Sequence, residues 1–143
     1  MHRVGGHCFI SAKIIATRVM ITAMNVLQLP ESFTVYLHRE AVDGRKQING
    51  LSVLVQEAMG RSPFSPALFG FVSRSRRQIK LLYWSSNGFC LWQKRLEKHR
   101  FPWPSADASE VVTLTEAELN WLLRGIDFFR LKAHETLSFT SVA

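Results

Sequence analysis

Basic and aromatic side chains alternate along one stretch of the chain, from Arg74 to Pro104, which reads RSRRQIKLLYWSSNGFCLWQKRLEKHRFPWP. Between Arg74 and Arg100 this stretch holds eight of the 18 lysine and arginine residues of the chain, but only one of its 11 acids, Glu97. The segment therefore accounts for the whole net charge of +7. A field concentrated in this way attracts phosphate polyanions and speeds their encounter with the protein. An acidic protein or a membrane surface would be attracted by the same field.

The loop RSRR is too charged to be buried, and its arginines are the first candidates for phosphate contacts. A solvated loop with no binding role is the alternative. Arg45 and Lys46 lie at the expected start of a helix, where cations oppose the helix dipole. Together with the free amides there they could hold a phosphate, or they could be merely solvated. The full set of predicted nucleic-acid-binding residues is Arg45, Lys46, Arg74, Arg76, Arg77, Lys80, Lys94, Arg95, Lys98 and Arg100.

The tryptophans of the same stretch, Trp84, Trp92 and Trp103, admit two interpretations. Exposed rings among basic residues would be stacking platforms for single-stranded nucleic acid. Rings directed inwards would instead be core residues and hairpin pairs. We favour the core interpretation, and because Trp84 and Trp92 flank a predicted turn, we expect a cross-strand relation between them.

No set of residues typical of a catalytic centre is found in the sequence. Polynucleotidyl transfer by two metal ions needs several converging carboxylates. Five of the 11 acids here are interpreted as helix caps or polar-loop residues, and no converging trio is indicated among the acids. His38, His99 and His134 are far apart, and no Cys or His spacing suits zinc. The chain has no GxxxxGK[ST] or GxGxxG motif and no nucleophile elbow. The sequence therefore predicts a protein that is not an enzyme and binds no metal and no cofactor. A cryptic nuclease is kept as an alternative.

The elements that must position these side chains begin with a strand in which Phe33, Val35 and Leu37 alternate with polar residues. A helix is predicted from Gly44 to Met59, with Asp43 as its N-cap and a stop at Gly60. ALFGFVS is interpreted as a strand with its phenylalanines on one face. QIKLLYWS and FCLWQKRL are predicted to form a hairpin that turns at Asn87-Gly88.

After the hairpin, RFPWP is interpreted as an edge strand and VVTL as a short strand. Thr115 and Glu118 form a predicted capping box, followed by Leu119, Leu122, Leu123 and Ile126 at helical spacing. The order of strand, helix, several strands and helix predicts an α+β domain. We expect a small antiparallel or mixed sheet with the helices packed on one face.

Three regions are predicted along the chain: a disordered leader over residues 1–23, an α+β domain over 24–131, and a flexible tail over 132–143. No apolar run approaches about 18 residues, so no transmembrane helix is expected. Cys8 and Cys90 do not indicate a disulfide framework and fit a reducing cytosol. Cys90 lies within an apolar strand and is expected to be buried.

Three segments, VDGRKQINGLSVLVQEAMG, PFSPALFGFVSRSRRQIKLLYWSSNGFCLWQKRLEKHRFPWP and LTEAELNWLLRGID, resemble in this order a family of bacterial proteins. That family is TnpB, the small accessory protein of the insertion-sequence family sixty-six of transposable elements. The resemblance covers about Phe33 to Phe129, and KLLYW..NGFCLWQKRLE followed by RF.WP is its most specific part. The chain departs from the family pattern where it reads DGRKQ from Asp43, and where Ser85 and Ser86 replace an acid.

This resemblance implies a cytoplasmic protein that acts in transposition beside a separate, much larger transposase, which carries the catalytic carboxylates. We therefore expect a non-catalytic accessory protein that binds DNA at the element ends, or bridges DNA and transposase, through the basic hairpin region. The alternative is a protein-interaction module that docks on the transposase without contacting DNA. No membrane partner is expected, and the oligomeric state is left open.

Overall fold

The computed structural model of the chain describes residues 33–131, so the expected leader and tail lie outside the described residues. The described part forms five strands and two helices followed by a 3₁₀ turn, which confirms the predicted α+β class. The elements are β1 (Thr34–His38), α1 (Ile48–Glu57), β2 (Ala67–Val72), β3 (Gln78–Ser85), β4 (Gly88–Arg95), β5 (Val111–Leu114), α2 (Glu116–Leu123) and the turn Phe128–Arg130.

The five strands form one mixed sheet in the order β4-β3-β2-β1-β5. β1 and β2 are parallel, and the other three neighbouring pairs are antiparallel. A parallel pair needs a crossover connection rather than a tight turn, and α1 supplies it. The β3–β4 hairpin therefore lies at one edge of the sheet, with β4 as the outermost strand.

The two helices cover opposite faces of the sheet, so the expectation that they pack on one face is wrong. Leu51 of α1 belongs to a core cluster with Phe69 of β2. Leu122 of α2 belongs to a second cluster with Leu68, the residue next to Phe69. The physical reason is that β2 is buried at every position. A strand that is apolar on both sides needs cover on both faces of its sheet.

α1 begins at Ile48, four residues later than predicted, and its N-cap residue Gln47 makes no side-chain capping bond. Asp43 is therefore not the helix cap. Instead, its backbone carbonyl accepts from Lys46 N at 3.0 Å, which closes a separate turn ahead of the helix. The expected stop is confirmed, because Gly60 has a φ of +63°, a conformation that favours glycine.

α2 starts with the predicted capping box. Thr115 Oγ1 accepts from the Glu118 amide at 3.1 Å, and Glu118 Oε1 accepts from the Thr115 amide at 2.9 Å. Both bonds satisfy amides that have no partner within the first helical turn. Leu119, Leu122 and Leu123 are buried as expected, whereas Ile126 lies beyond the helix and is exposed.

The hairpin is confirmed, but its turn lies one residue earlier than predicted. Ser85 pairs with Gly88, so the connecting residues are Ser86 and Asn87, and Ser86 has the positive φ, +46°. Trp84 pairs with Phe89, whereas Trp92 pairs with Leu81 on the opposite face. The expected cross-strand relation between Trp84 and Trp92 is therefore wrong.

RFPWP is not a strand, although two of its rings are essential to the core. Phe101 and Trp103 are buried in the cluster beneath α2. Trp103 Nε1 donates to the Arg39 carbonyl at 3.0 Å, which satisfies the polar end of a buried indole. This segment therefore closes one face of the sheet rather than extending its edge.

Candidate nucleic-acid interface

An open groove of about 860 Å³ lies at one end of the sheet. Three segments meet there: the turn before α1, the connection between β2 and β3, and the end of β4. Four of the predicted cations line it, and we call it the arginine groove. Its charged residues are Asp43, Arg45, Arg74, Arg77, Arg95 and Glu97.

The β2–β3 connection is a closed and strongly hydrogen-bonded loop. Ser73 N donates to Gln78 O at 2.9 Å, and Arg76 N donates to Ser73 O at 2.8 Å. Ser73 Oγ accepts from Gln78 N at 3.2 Å. Arg76 holds a φ of +59°, an uncommon conformation for a residue other than glycine. These bonds satisfy the loop backbone internally and leave the Arg74 and Arg76 side chains in solvent.

Arg77 differs from its two neighbours, because its guanidinium ties the loop to the end of β4. Its Nη2 donates to the Glu97 carbonyl, and its Nε lies 3.4 Å from the Leu96 carbonyl. Leu96 N returns a bond to the Arg77 carbonyl at 2.7 Å. Arg77 lines the groove and also holds two of its walls together.

Arg45 is fixed at the groove rim by Asp43. The guanidinium donates from Nε to Asp43 Oδ1 at 3.1 Å and from Nη2 to Oδ2 at 2.8 Å, a bidentate arrangement. These bonds, together with one from the Arg45 amide, hold the pKa of Asp43 well below its usual range. The Arg45 side chain nevertheless stays 91% exposed, so a second anion can still approach it.

Lys80 is not part of the surface, which corrects its assignment as a nucleic-acid contact. It is only 3% exposed and lies on the α1 face of β3. Its Nζ donates to the Gly44 carbonyl at 2.8 Å and to the Lys46 carbonyl at 2.6 Å. Burial lowers the pKa of this ammonium. Lys80 therefore anchors the turn that carries Arg45 and is not available to a phosphate.

The remaining predicted cations divide between two surfaces. Arg95 borders the groove and pairs with Glu97 at 3.2 Å. Lys94, its neighbour, points to the opposite face and donates to the Leu123 carbonyl of α2 at 3.1 Å. Lys98 and Arg100 are exposed in the segment after β4, which a bond from Phe101 N to the Arg76 carbonyl holds beside the loop. The structure thus brings most of the predicted cations to one end of the sheet but removes Lys80 and Lys94.

Some groove residues were missed by the sequence analysis. Ser73, Ser75 and Gln78 line the groove between the arginines and supply small polar groups. These three residues lie among the candidate arginines in SRSRRQ, and that position could have identified them as groove residues from the sequence. Asp43 and Glu97 were not expected to pair with Arg45 and Arg95, although each acid lies two residues from its partner.

Two aromatic rings are exposed among residues 33–131: Trp121 of α2, at 41%, and Phe64, which lies at the turn end of the β3–β4 hairpin. Phe64 is 58% exposed and contacts Trp84 edge-on at a centroid distance of 5.0 Å. Phe89 completes this aromatic cluster, at 5.3 Å from Phe64 and 5.0 Å from Trp84. Trp92 and Trp103 are buried, as the core interpretation predicts. Cys90 is half-buried rather than fully buried.

Under the predicted role of these cations in DNA binding, we expect that replacing Asp43 with asparagine strengthens the affinity for duplex DNA by roughly two- to five-fold, because it removes a negative charge from the groove and releases Arg45. Fluorescence anisotropy with a labelled duplex measures the change. Glu57→Gln, which removes an exposed acid at the far end of α1, is the matched control and should leave affinity nearly unchanged. Weaker binding by the Asp43→Asn protein would contradict a purely electrostatic role for the groove.

Two features are absent from residues 33–131, the part of the chain that the structure describes. Within that range, no group of three or more His, Cys, Asp or Glu side chains is placed to hold a metal ion. Neither of the two helices of that range is long and apolar enough to cross a membrane.

Comparison with known proteins places residues 33–133 in the profile of a family described as IS66 Orf2 like protein. The chain is also similar to two proteins of Sinorhizobium fredii (strain NBRC 101917 / NGR234). Uncharacterized protein y4hO is 34% identical over 98 residues, covering 68% of this chain and 84% of that protein. Uncharacterized protein y4jC is 29% identical over 104 residues, covering 73% and 88%. No solved structure shows a significant match.

Proposed function

The chain belongs to the IS66 Orf2-like family of insertion-sequence transposition accessory proteins, and from this premise we propose that it is a non-catalytic subunit that binds DNA at the element ends. The arginine groove and the exposed cations beside it form the DNA-binding surface. A separate transposase of the same element performs the chemistry. The accessory protein supplies affinity for the DNA on which that enzyme acts.

The observation that carries this proposal is the convergence of guanidinium groups at one end of the sheet. Four arginines line one open groove together with only two acids. Guanidinium groups match phosphate oxygens with paired hydrogen bonds, which makes arginine a preferred phosphate ligand. Both acids engage neighbouring arginines, so neither presents an unpaired charge that would repel DNA.

Five of the predicted contacts have side chains with no hydrogen bond or ion pair among residues 33–131, and they are free to meet phosphates. They are Lys46, Arg74, Arg76, Lys98 and Arg100. Each phosphate contact on duplex DNA contributes about −0.9 to the slope of log affinity against log salt. Five contacts therefore predict a slope of about −4.5.

The experiment is a salt titration of the full chain against a labelled duplex from an element end and a scrambled duplex of the same length. We expect the slope given above for both duplexes, because phosphate contacts carry no sequence information. Absent binding, or binding that does not change with salt, would refute DNA recognition through this surface.

A second candidate function is docking on the transposase, and the aromatic cluster of Phe64, Trp84 and Phe89 favours it. Exposed aromatic rings are enriched at the centres of protein interfaces. Under this alternative, co-purification with the transposase persists after nuclease treatment and after Arg74, Arg76 and Arg77 are changed to alanine. Phe64→Ser should then abolish it. Loss of co-purification on nuclease treatment would instead indicate that DNA links the two proteins.

A further inference from the structure

We infer that the arginine groove takes the phosphate backbone of double-stranded DNA and does not hold unstacked bases of a single strand. The inference rests on the proposed function and narrows its substrate. It follows from where the structure places aromatic rings relative to cations, from how the loop is held, and from how the groove's polar groups are engaged.

Single-strand binding proteins place aromatic rings among their cations, so that bases stack while phosphates are neutralised. The rings nearest the groove cannot serve in this way. Phe71 of β2 is 1% exposed, and Phe101, beside Arg100, is 2% exposed. Both rings face the core, and neither presents a surface to a base.

Of the exposed rings, Trp121 belongs to α2, which covers the face of the sheet opposite α1, and Phe64 packs on the half-buried Trp84. Trp84 and Phe89 lie at the turn end of the hairpin, whereas Gln78 and Arg95 mark its groove end. Six residues of strand at about 3.4 Å each separate the two ends by roughly 20 Å. A base stacked on the aromatic cluster would therefore have its phosphate far from Arg74.

The groove is also preorganised, which suits a rigid ligand. The Ser73 and Gln78 bonds close the loop that carries Arg74 and Arg76, and Arg77 ties that loop to β4. A loop backbone held in one conformation limits the positions that its arginines can take, so less ordering of the protein is needed when a rigid duplex binds. A flexible single strand would lose conformational entropy to fit the same cations.

The polar groups of the groove are mostly engaged within the protein. Gln78 Nε2 donates to Gln93 Oε1 at 3.2 Å, and Ser73 Oγ lies 3.2 Å from Ser75 Oγ. These side chains are therefore not poised to recognise base edges. What the groove offers is guanidinium groups, whose contacts with phosphates fix the position of a duplex but carry no sequence information.

The test compares a 20-base-pair duplex with each of its separated strands, using the full chain at about 0.1 M salt and fluorescence anisotropy. Each phosphate contact contributes about 0.9 to the salt slope on a duplex and about 0.7 on a single strand. Five contacts therefore favour the duplex by roughly ten-fold. One stacked base adds roughly five-fold or more to single-strand affinity, so two would reverse the order.

Each outcome decides a different question. Duplex preference that falls in the Arg74→Gln protein supports the inference. Binding of the separated strands as tightly as the duplex, or more tightly, overturns the inference but leaves the proposed DNA binding intact. Quenching of tryptophan fluorescence by the separated strands has the same consequence. Duplex preference that Arg74→Gln leaves unchanged shows that the groove is not the site. Binding to neither probe refutes the proposed function itself, and the inference fails with it.

Discussion

Replacing both Arg74 and Arg76 with glutamine is expected to weaken duplex binding by roughly 60-fold at 0.1 M salt and to reduce the salt slope by about two. Both guanidinium groups are exposed and make no hydrogen bond or ion pair among residues 33–131, so their loss removes two phosphate contacts directly. Fluorescence anisotropy over a range of salt concentrations measures affinity and slope together. The loop backbone should persist, because its hydrogen bonds come from main-chain atoms and serine hydroxyls.

Arg61→Gln is the matched control for the single variant Arg74→Gln. Arg61 lies at the other end of α1, where its guanidinium stacks 3.8 Å from the centre of the Tyr36 ring. Both substitutions remove one positive charge, but only Arg74 lies in the groove. Arg74→Lys should retain most of the affinity, since it keeps the charge. Equal losses from Arg61→Gln and Arg74→Gln would show that binding follows net charge and not the groove.

Arg77 needs separate treatment, although the sequence presents it as a third member of the same cluster. Its guanidinium donates to two backbone carbonyls at the end of β4. Substituting it would loosen a wall of the groove as well as remove a charge. A change in affinity from Arg77→Ala therefore mixes two causes, whereas Arg74 and Arg76 report on phosphate contact alone.

The strands were the part of the fold that the sequence predicted best, because side-chain alternation depends only on local backbone geometry. Phe69 and Phe71 share a face as expected, and the hairpin strands match the predicted segments QIKLLYWS and, within one residue at each end, FCLWQKRL. The placement of the helices on opposite faces was missed. It depends on the parallel pairing of β1 with β2, which sequence periodicity does not report.

The start of α1 shows how a long-range contact can override a local signal. Asp43 followed by Gly44 and Arg45 has the residue types of a helix start. In the fold, Lys80 draws two carbonyls of this segment towards the sheet, so the segment forms a separate turn. A lysine from a strand 36 residues away from Gly44 cannot be recognised from local spacing.

The candidate site was predicted in outline and corrected in detail. Clustered arginines in RSRR were correctly expected to lie in an exposed turn, because burying so many charges in four residues would be costly. Lys80 and Lys94 belong to strands, where alternation assigns them to opposite faces. Each reaches a backbone carbonyl on its own face, which is how a long lysine side chain satisfies its charge when partly buried.

Replacing Lys80 with methionine is expected to lower the free energy of unfolding by about 1–3 kcal/mol, since it leaves the Gly44 and Lys46 carbonyls without their donor. Methionine fills a similar volume, so the cavity contribution is small. Chemical denaturation measures the loss of stability. Hydrogen exchange should accelerate selectively at the amides of residues 44–47, which the ammonium holds in place.

Lys46→Met is the control, because it makes the same substitution at an exposed lysine whose backbone carbonyl accepts the bond. It should change stability by less than about 0.5 kcal/mol and leave exchange in the turn unaltered. Replacing a buried charged group with an apolar one stabilises some proteins. The sign of the change in the free energy of unfolding of Lys80→Met therefore shows whether the two hydrogen bonds of Lys80 outweigh the cost of burying its charge. A Lys80→Met protein as stable as the original, with unchanged exchange at residues 44–47, would mean that the turn holds Arg45 in place without the buried ammonium.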